Sequence, residues 1–357
     1  VNFSRSPGPR RGSDFVQFWT ASRLVIEGRA KDVYDFDTFI EEEEKTLQRK
    51  WSPIVFRYPP TTLLAVTPFS YLPYALAFAL AGLLPLIFII FVTYRITNSM
   101  ALVVFVLSSP VIFQNLSYGQ NGLLFAGLAA LALQLLEEGK DWQASVCLAL
   151  CSLKPHLIIL FFAALLFSRR WRTLCYAFSL SALWAAISFL VFGLSVWKTW
   201  FGTISQGTSA VFKPVVLFEA LVSPWGAAYL LTSDVNVANI FQLLCSLAAL
   251  LLLKSLWSGH FPSNVKNGLT CVMTILAIPY VFVYDLSFLL VALVFLLKNK
   301  SADEWSLPIT VLYALSWCCA LFQVPIAAVT NVSIAFFVVV TLFISVYAST
   351  PSTEPNY

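Results

Sequence analysis

From residue 61 to residue 349 the chain alternates apolar runs with short polar turns, and only residues 13–60 form a long polar stretch. A short apolar helix is expected over Thr61–Phe69. After Pro73, apolar runs cover 74–94, 100–113, 122–136, 142–168, 174–191, 235–253, 268–283, 286–297, 307–322 and 332–345. Runs of this length and number predict an all-α, polytopic transmembrane helical bundle. The polar string Gln114–Asn121 interrupts the pattern, and a second polar loop covers about 195–234, with an amphipathic piece at Val215–Leu231 that holds Trp225.

The polar stretch has a pattern of its own. Phe18, Trp19, Ala21, Ser22 and Val25 recur at helical spacing over Phe15–Glu27, and Gly28 stops that helix. A second helix starts near Asp35 or Asp37 and sets Phe39, Ile40 and Leu47 against the charged run Glu41–Lys45. One apolar and one charged face suit helices lying in the membrane interface, with Glu41–Glu44 as a solvated face. Tyr58-Pro59-Pro60 then stiffens the passage into the bundle, because proline fixes its own φ and restricts the residue before it. Residues 1–60 are thus the first loop, 61–349 the bundle and 350–357 a polar tail, all one functional unit. The basic, proline-rich opening Val1–Arg11 has no apolar stretch before Asp14, and a first transmembrane helix is expected ahead of it.

Residues 142–168 carry Lys154-Pro155-His156 at their centre. One helix of that length would reach about 40 Å, against a hydrocarbon core of ~30 Å. Proline breaks helices, so two short helices are expected to meet at this turn. With that break, and with 14–58 outside, the inner turns hold nine basic residues (Arg95, Lys140, Arg169, Arg170, Arg172, Lys254, Lys266, Lys298, Lys300). The outer ones hold three, Lys154, Lys198 and Lys213. The positive-inside rule favours this arrangement. It places Asp14, Tyr58-Pro59-Pro60, Gly119-Gln120-Asn121, Lys154-Pro155-His156 and Tyr284-Asp285 on the outer side.

Composition narrows the picture. Only 11% of the 357 residues are charged, against roughly 25% in soluble domains, and mean hydropathy is +0.80. A formal net charge of +4 suggests no nucleic-acid partner. All seven cysteines lie in apolar segments without metal-site spacing and read as small core residues. No phosphate-cradling glycine loop, zinc-binding helix, serine-nucleophile motif or Asp-x-Asp pair is present, so neither metal nor cofactor is expected. The aromatics Trp19, Trp51, Trp197, Trp200 and Trp225 read as interfacial belts sooner than as sugar platforms.

Three places could carry chemistry. Asp14, among aromatics, is a candidate general base; it would equally serve as N-cap of the helix after it. Lys154 and His156 form a cationic turn able to hold a phosphate, or Lys154 snorkels to the interface. Asp285, beside an apolar helix, faces a cavity or partner, or caps a span. Tyr58, Gln120, Asn121 and Tyr284 complete the candidate substrate site.

The ordered set Asp14-Phe15-Val16-Gln17-Phe18-Trp19-Thr20-Ala21-Ser22, Gly28, Val33-Tyr34-Asp35, Tyr58-Pro59-Pro60, Tyr118-Gly119-Gln120-Asn121 and Lys154-Pro155-His156 resembles glycosyltransferase family 87, of the GT-C superfamily, over about 13–300. The resemblance implies a GT-C-like bundle whose extracytoplasmic first loop carries the interfacial helices. It implies a multi-pass enzyme of a bacterial inner or plasma membrane, acting on the periplasmic or extracellular face. The reaction implied is inverting transfer of a sugar, mannose above all, from a polyprenyl-phosphate-sugar donor to a lipid or glycan hydroxyl. Asp14 would be the base; Lys154 and His156 would hold the donor phosphate. Where some relatives carry Trp and His late in the chain, this one has Tyr284-Asp285. A transporter or flippase for lipid-linked sugars, or a non-catalytic scaffold of an envelope-glycan complex, are the rival readings. Reporter fusions at Arg169–Arg172 should report the inner side; an outer report would reverse the topology.

Overall fold

The structure, a computed structural model, describes residues 14–48, 55–205, 217–298, 300 and 306–350. The opening run Arg5–Arg11, Trp51, Lys213 and the tail after Thr350 lie outside the described residues. Helices follow in the order α1 (Phe15–Ile26), α2 (Phe36–Leu47), α3 (Pro60–Val66), α4 (Tyr74–Thr97), α5 (Met100–Leu107), α6 (Pro110–Tyr118), α7 (Gly122–Glu137), α8 (Asp141–Cys151), α9 (Ile159–Phe167), α10 (Trp171–Ser205), α11 (Pro224–Thr232), α12 (Val235–Ser258), α13 (Ser263–Ala277), α14 (Ser287–Leu297), α15 (Leu307–Thr330) and α16 (Ile334–Ser349). An isolated antiparallel bridge, Leu221 to Phe282, is the extended contact among the described residues. Among the described residues, four helices are long and apolar enough to cross a membrane, namely α4, α10, α12 and α15; α5 and α6, bent by 53°, make a fifth if they are one span. The chain is a polytopic helical bundle.

Several boundaries differ from the expected ones for local reasons. The break expected at Gln114–Asn121 begins only after Tyr118, because α6 runs on through Gln114–Ser117. The bend lies earlier, at Ser108-Ser109, where the Ser108 hydroxyl donates back to the Val104 carbonyl at 2.8 Å and Pro110 opens the next helix. The helix α10 continues to Ser205, across a kink at Gly193 (φ 75°), into what the pattern assigns to the second loop. Of that loop, residues 206–216 lie outside the described set. Its helix starts at Pro224, capped by Ser223, and Trp225 is buried instead of interfacial. The break at Lys154 is present: α8 ends at Cys151, a 3-10 turn covers Pro155–Ile158, and α9 follows.

The chain divides into two units. The first gathers residues up to 84, 115–121 and 181–205. Its centre is α1, which is packed within the unit. Phe15, Phe18, Ala21 and Leu24 are buried against Tyr34, Phe39, Phe56, Leu63, Val196 and Trp200. The polar positions Gln17, Thr20 and Ser22 are buried too, so the helix packs on nearly all sides. Gly28, at φ +75°, ends it without a side chain to strain. Helix α2 is capped by Asp35, which accepts from the Thr38 N–H at 3.0 Å; hydrogen bonding from Thr38, its side chain first and then this N–H, holds the Asp35 carboxyl below its ordinary range. Glu43 is buried, not solvated, because it stands one turn after Phe39 on the inward face. Arg29 ties the loop down through Asp32 at 2.9 Å and Glu42 at 3.1 Å. Partial burial pushes the Glu42 carboxyl up, but the bonds from Lys45 and Arg29 outweigh it and leave it lowered.

The second unit spans 85–114, 122–180 and 217 onward. Two glutamines fasten it. Gln242 accepts from the Trp225 N–H at 3.0 Å and donates to Ser246 and the Leu276 carbonyl. Gln323 donates to the carbonyls of Glu219 and Leu221 and accepts from Ser333 and the Ala335 N–H. Each uses both ends of its amide, as a polar side chain in an apolar setting must. Beyond the helix ends, Glu138 bonds Arg95 and Lys140. Those bonds, Arg95 first, pull its carboxyl down to about 2. A lowered folded-state pKa stabilises above the unfolded value and is lost as pH falls through the folded one. Glu138→Gln should therefore lower the thermal midpoint at pH 7, and its gap from wild type should shrink below pH ~4.5. Melting curves from pH 7 to 4 check this; a gap that widens on acidification would contradict the pairing.

Candidate functional site

In the first unit, three of the sequence motifs meet at one polar junction. Asp14 stands at the head of α1, yet its side chain makes no capping bond, and its backbone is helical there (φ −88°, ψ −17°). Its N–H donates to the Tyr118 carbonyl at 2.9 Å. Its Oδ2 accepts from Gln120 Nε2 at 2.6 Å. The capping alternative for Asp14 is thus excluded by geometry. Gln120 is buried, and its Oε1 has no hydrogen-bond partner.

The turn that presents Gln120 depends on Gly119. Its φ is +73°, and a Cβ there would press on the Phe15 Cβ and the Phe78 ring. Glycine alone takes that backbone angle at little cost and leaves the space free. The N–H groups of Gly119 and Gln120 both donate to the Asn115 carbonyl, at 2.9 and 3.0 Å, closing the end of α6. Next in the chain, Asn121 Nδ2 donates to the Tyr58 hydroxyl at 3.0 Å. The Tyr58 carbonyl accepts from the Tyr34 hydroxyl at 3.0 Å. Burial pushes the Tyr34 phenol well up, so it stays a donor. The Tyr58 ring packs on Phe18 and Phe56, with centroids 5.2 and 5.3 Å away. Pro59 and Pro60 then launch α3. The sequence marks no role for Tyr34 or Gly119 beyond membership in their motifs; a glycine directly before the polar pair Gln120-Asn121 is the signal it carries.

In the second unit, the turn after α8 meets the segment before α14. Lys154 Nζ donates to Asp285 Oδ1 at 2.6 Å, and the two side chains are only 5% and 0% exposed. The ammonium also lies over the Tyr284 ring, 5.4 Å from its centroid. Asp285 Oδ2 accepts from the Phe282 N–H at 3.2 Å. Asp285 is therefore both a cap and an ion-pair partner, and Lys154 does not snorkel. Opposite charges at hydrogen-bond distance offset the cost of burying either. His156 is half-buried and takes no part in this pairing among the described residues. Among the described residues, no three His, Cys, Asp or Glu side chains gather as a metal site.

A model of glycosyltransferase family 87 matches residues 56–279, more than half of the chain. The chain belongs to glycosyltransferase family 87. No curated protein and no solved structure matches it. The family 87 match contains Tyr58, Gln120, Asn121, Lys154 and His156, and it is narrower than the resemblance read from the motifs. Asp14, Tyr284 and Asp285 fall outside it. Asp14 and Asp285 are nonetheless each hydrogen-bonded to a residue inside, Gln120 and Lys154.

Removing one partner of a buried ion pair leaves the other's charge uncompensated, at a cost of about 3–5 kcal/mol. Lys154→Met should lose about that much stability, and Lys154→Met/Asp285→Leu should regain most of it. Thermal or denaturant unfolding in detergent checks this; a single variant as stable as wild type would show the pair to be idle.

Proposed function

We propose that this family 87 glycosyltransferase moves a sugar, mannose, from a polyprenyl-phosphate-sugar to a hydroxyl of a lipid or glycan at the outer face of the membrane. The reading rests above all on the carboxylate of Asp14, which stands at a helix head, forgoes the cap and is held by Gln120. A carboxylate fixed in that way can take a proton from an attacking hydroxyl.

The step is a single displacement. The acceptor hydroxyl gives its proton to Asp14 as its oxygen bonds to the anomeric carbon. The bond from that carbon to the phosphate oxygen breaks, and polyprenyl phosphate leaves with the electron pair. Attack opposite the leaving group inverts the anomeric centre. Charge grows on the departing phosphate, and a positioned cation stabilises it most where water is excluded. Lys154 is that cation in this reading, oriented by Asp285 and Tyr284, with His156 beside it in sequence.

The test is transfer of radiolabelled mannose from polyprenyl-phosphate-mannose by the purified protein in detergent with a membrane lipid extract. Label should enter the lipid fraction, and Asp14→Asn should slow transfer by about 10²–10⁴-fold while melting like wild type. Near-normal turnover in the variant would remove Asp14 from the role of base. No transfer from this or any other polyprenyl-phosphate sugar would overturn the donor.

A further inference from the structure

We propose that Gln120 is the positioning residue for Asp14, keeping the carboxylate turned away from its own helix and ready for the acceptor hydroxyl. The inference rests on the reading of Asp14 as base and adds a second residue to it. Three observations carry it. The amide of Gln120 reaches Asp14 Oδ2 at 2.6 Å, a short contact for an N–H donor to an ionised oxygen. The same amide leaves its Oε1 buried and without a partner. The backbone on both sides is pinned, by Asp14 N–H to the Tyr118 carbonyl and by Gly119 and Gln120 N–H to the Asn115 carbonyl.

The first two observations together set Gln120 apart from a packing residue. A buried carbonyl oxygen with no donor is unfavourable, and an apolar side chain of the same length would avoid that cost. Elsewhere in this chain Gln242 and Gln323 occupy both amide ends. Gln114 also keeps a buried Oε1 unmet, but its Nε2 donates to a backbone carbonyl, that of Ala320. Gln120 differs in giving its donor end to a carboxylate. Asp14 makes the matching concession, since an aspartate at a helix head that declines the cap forgoes about 1 kcal/mol. Two locally poor choices that meet in one hydrogen bond mark a contact kept for what it does. It orients the carboxylate; without it, the side chain would fall back to the free N–H groups of the first turn of α1.

Gln120→Met removes the donor at nearly constant length. It should lower kcat for mannose transfer about 10²-fold, leave the KM for polyprenyl-phosphate-mannose within threefold, and melt at or above the wild-type midpoint. A purely structural glutamine would show the reverse, a lower midpoint with kcat kept. A length swap supplies the second test: Gln120→Asn withdraws the amide by one methylene and Asp14→Glu advances the carboxylate by one. The double variant should be more active than Gln120→Asn alone, a coupling that independent sites do not show. Asp14→Asn runs beside them. If it is inactive while Gln120→Met keeps its kcat, or if the swap is merely additive, the positioning role falls and the base stands. If Asp14→Asn is active, the base reading falls and this inference with it.

Discussion

In a chain this poor in charge, a polar side chain away from water has to find its partner inside the protein. That requirement organises most of what is polar here. Gln323 holds the Glu219–Leu221 segment against the start of α16 by four hydrogen bonds. Gln242 ties Trp225 to the end of α13. Lys154 and Asp285, both buried, meet each other and the Tyr284 ring. In each case a loop or helix end is fixed by a side chain whose burial would otherwise be too costly. The positions of the non-helical segments follow from these bonds more than from their own propensities.

The bundle was legible because apolar runs carry it. The break at Lys154-Pro155-His156 was legible as well, since proline in a run too long for one span has few other meanings. What escaped was any feature set by a partner far along the chain. The segment around α1 has an amphipathic pattern, and what the pattern does not name is its cover: Phe56, Leu63, Val196 and Trp200, none of them near it in sequence. Glu43 sits in a run of four acids that looks solvated, yet its register after Phe39 turns it inward. Ser108-Ser109 read as part of an apolar run, because two serines weigh little in a hydropathy pattern, although Ser108 bonds back on its own helix where the chain bends.

The candidate site was legible as a set of residue types and not as a set of partners. Asp14, Gln120, Tyr58 and Asn121 stood out for being polar in apolar company. That Asp14 belongs to Gln120, and Asn121 to Tyr58, depends on a turn that only Gly119 permits. The same holds for Lys154 and Asp285, 131 residues apart. A motif can suggest that such residues serve one purpose, but their pairing comes from the fold.

The two clusters differ in a way that bears on their roles. The Lys154–Asp285 contact is satisfied on the side of Asp285, with one oxygen on the ammonium and the other on the Phe282 N–H. Such a pair is stable as it stands, and a ligand phosphate would have to add to it and not replace it. The Asp14–Gln120 contact is of another kind: the aspartate has left its helix, and the amide has left its oxygen unmet. Stability alone favours neither choice. A base that must accept a proton and later release it gains from an oriented donor that turns its carboxylate away from its own helix and toward the reacting hydroxyl. The Asp14–Gln120 contact is therefore the one suited to proton transfer, and the Lys154–Asp285 pair to holding charge in place.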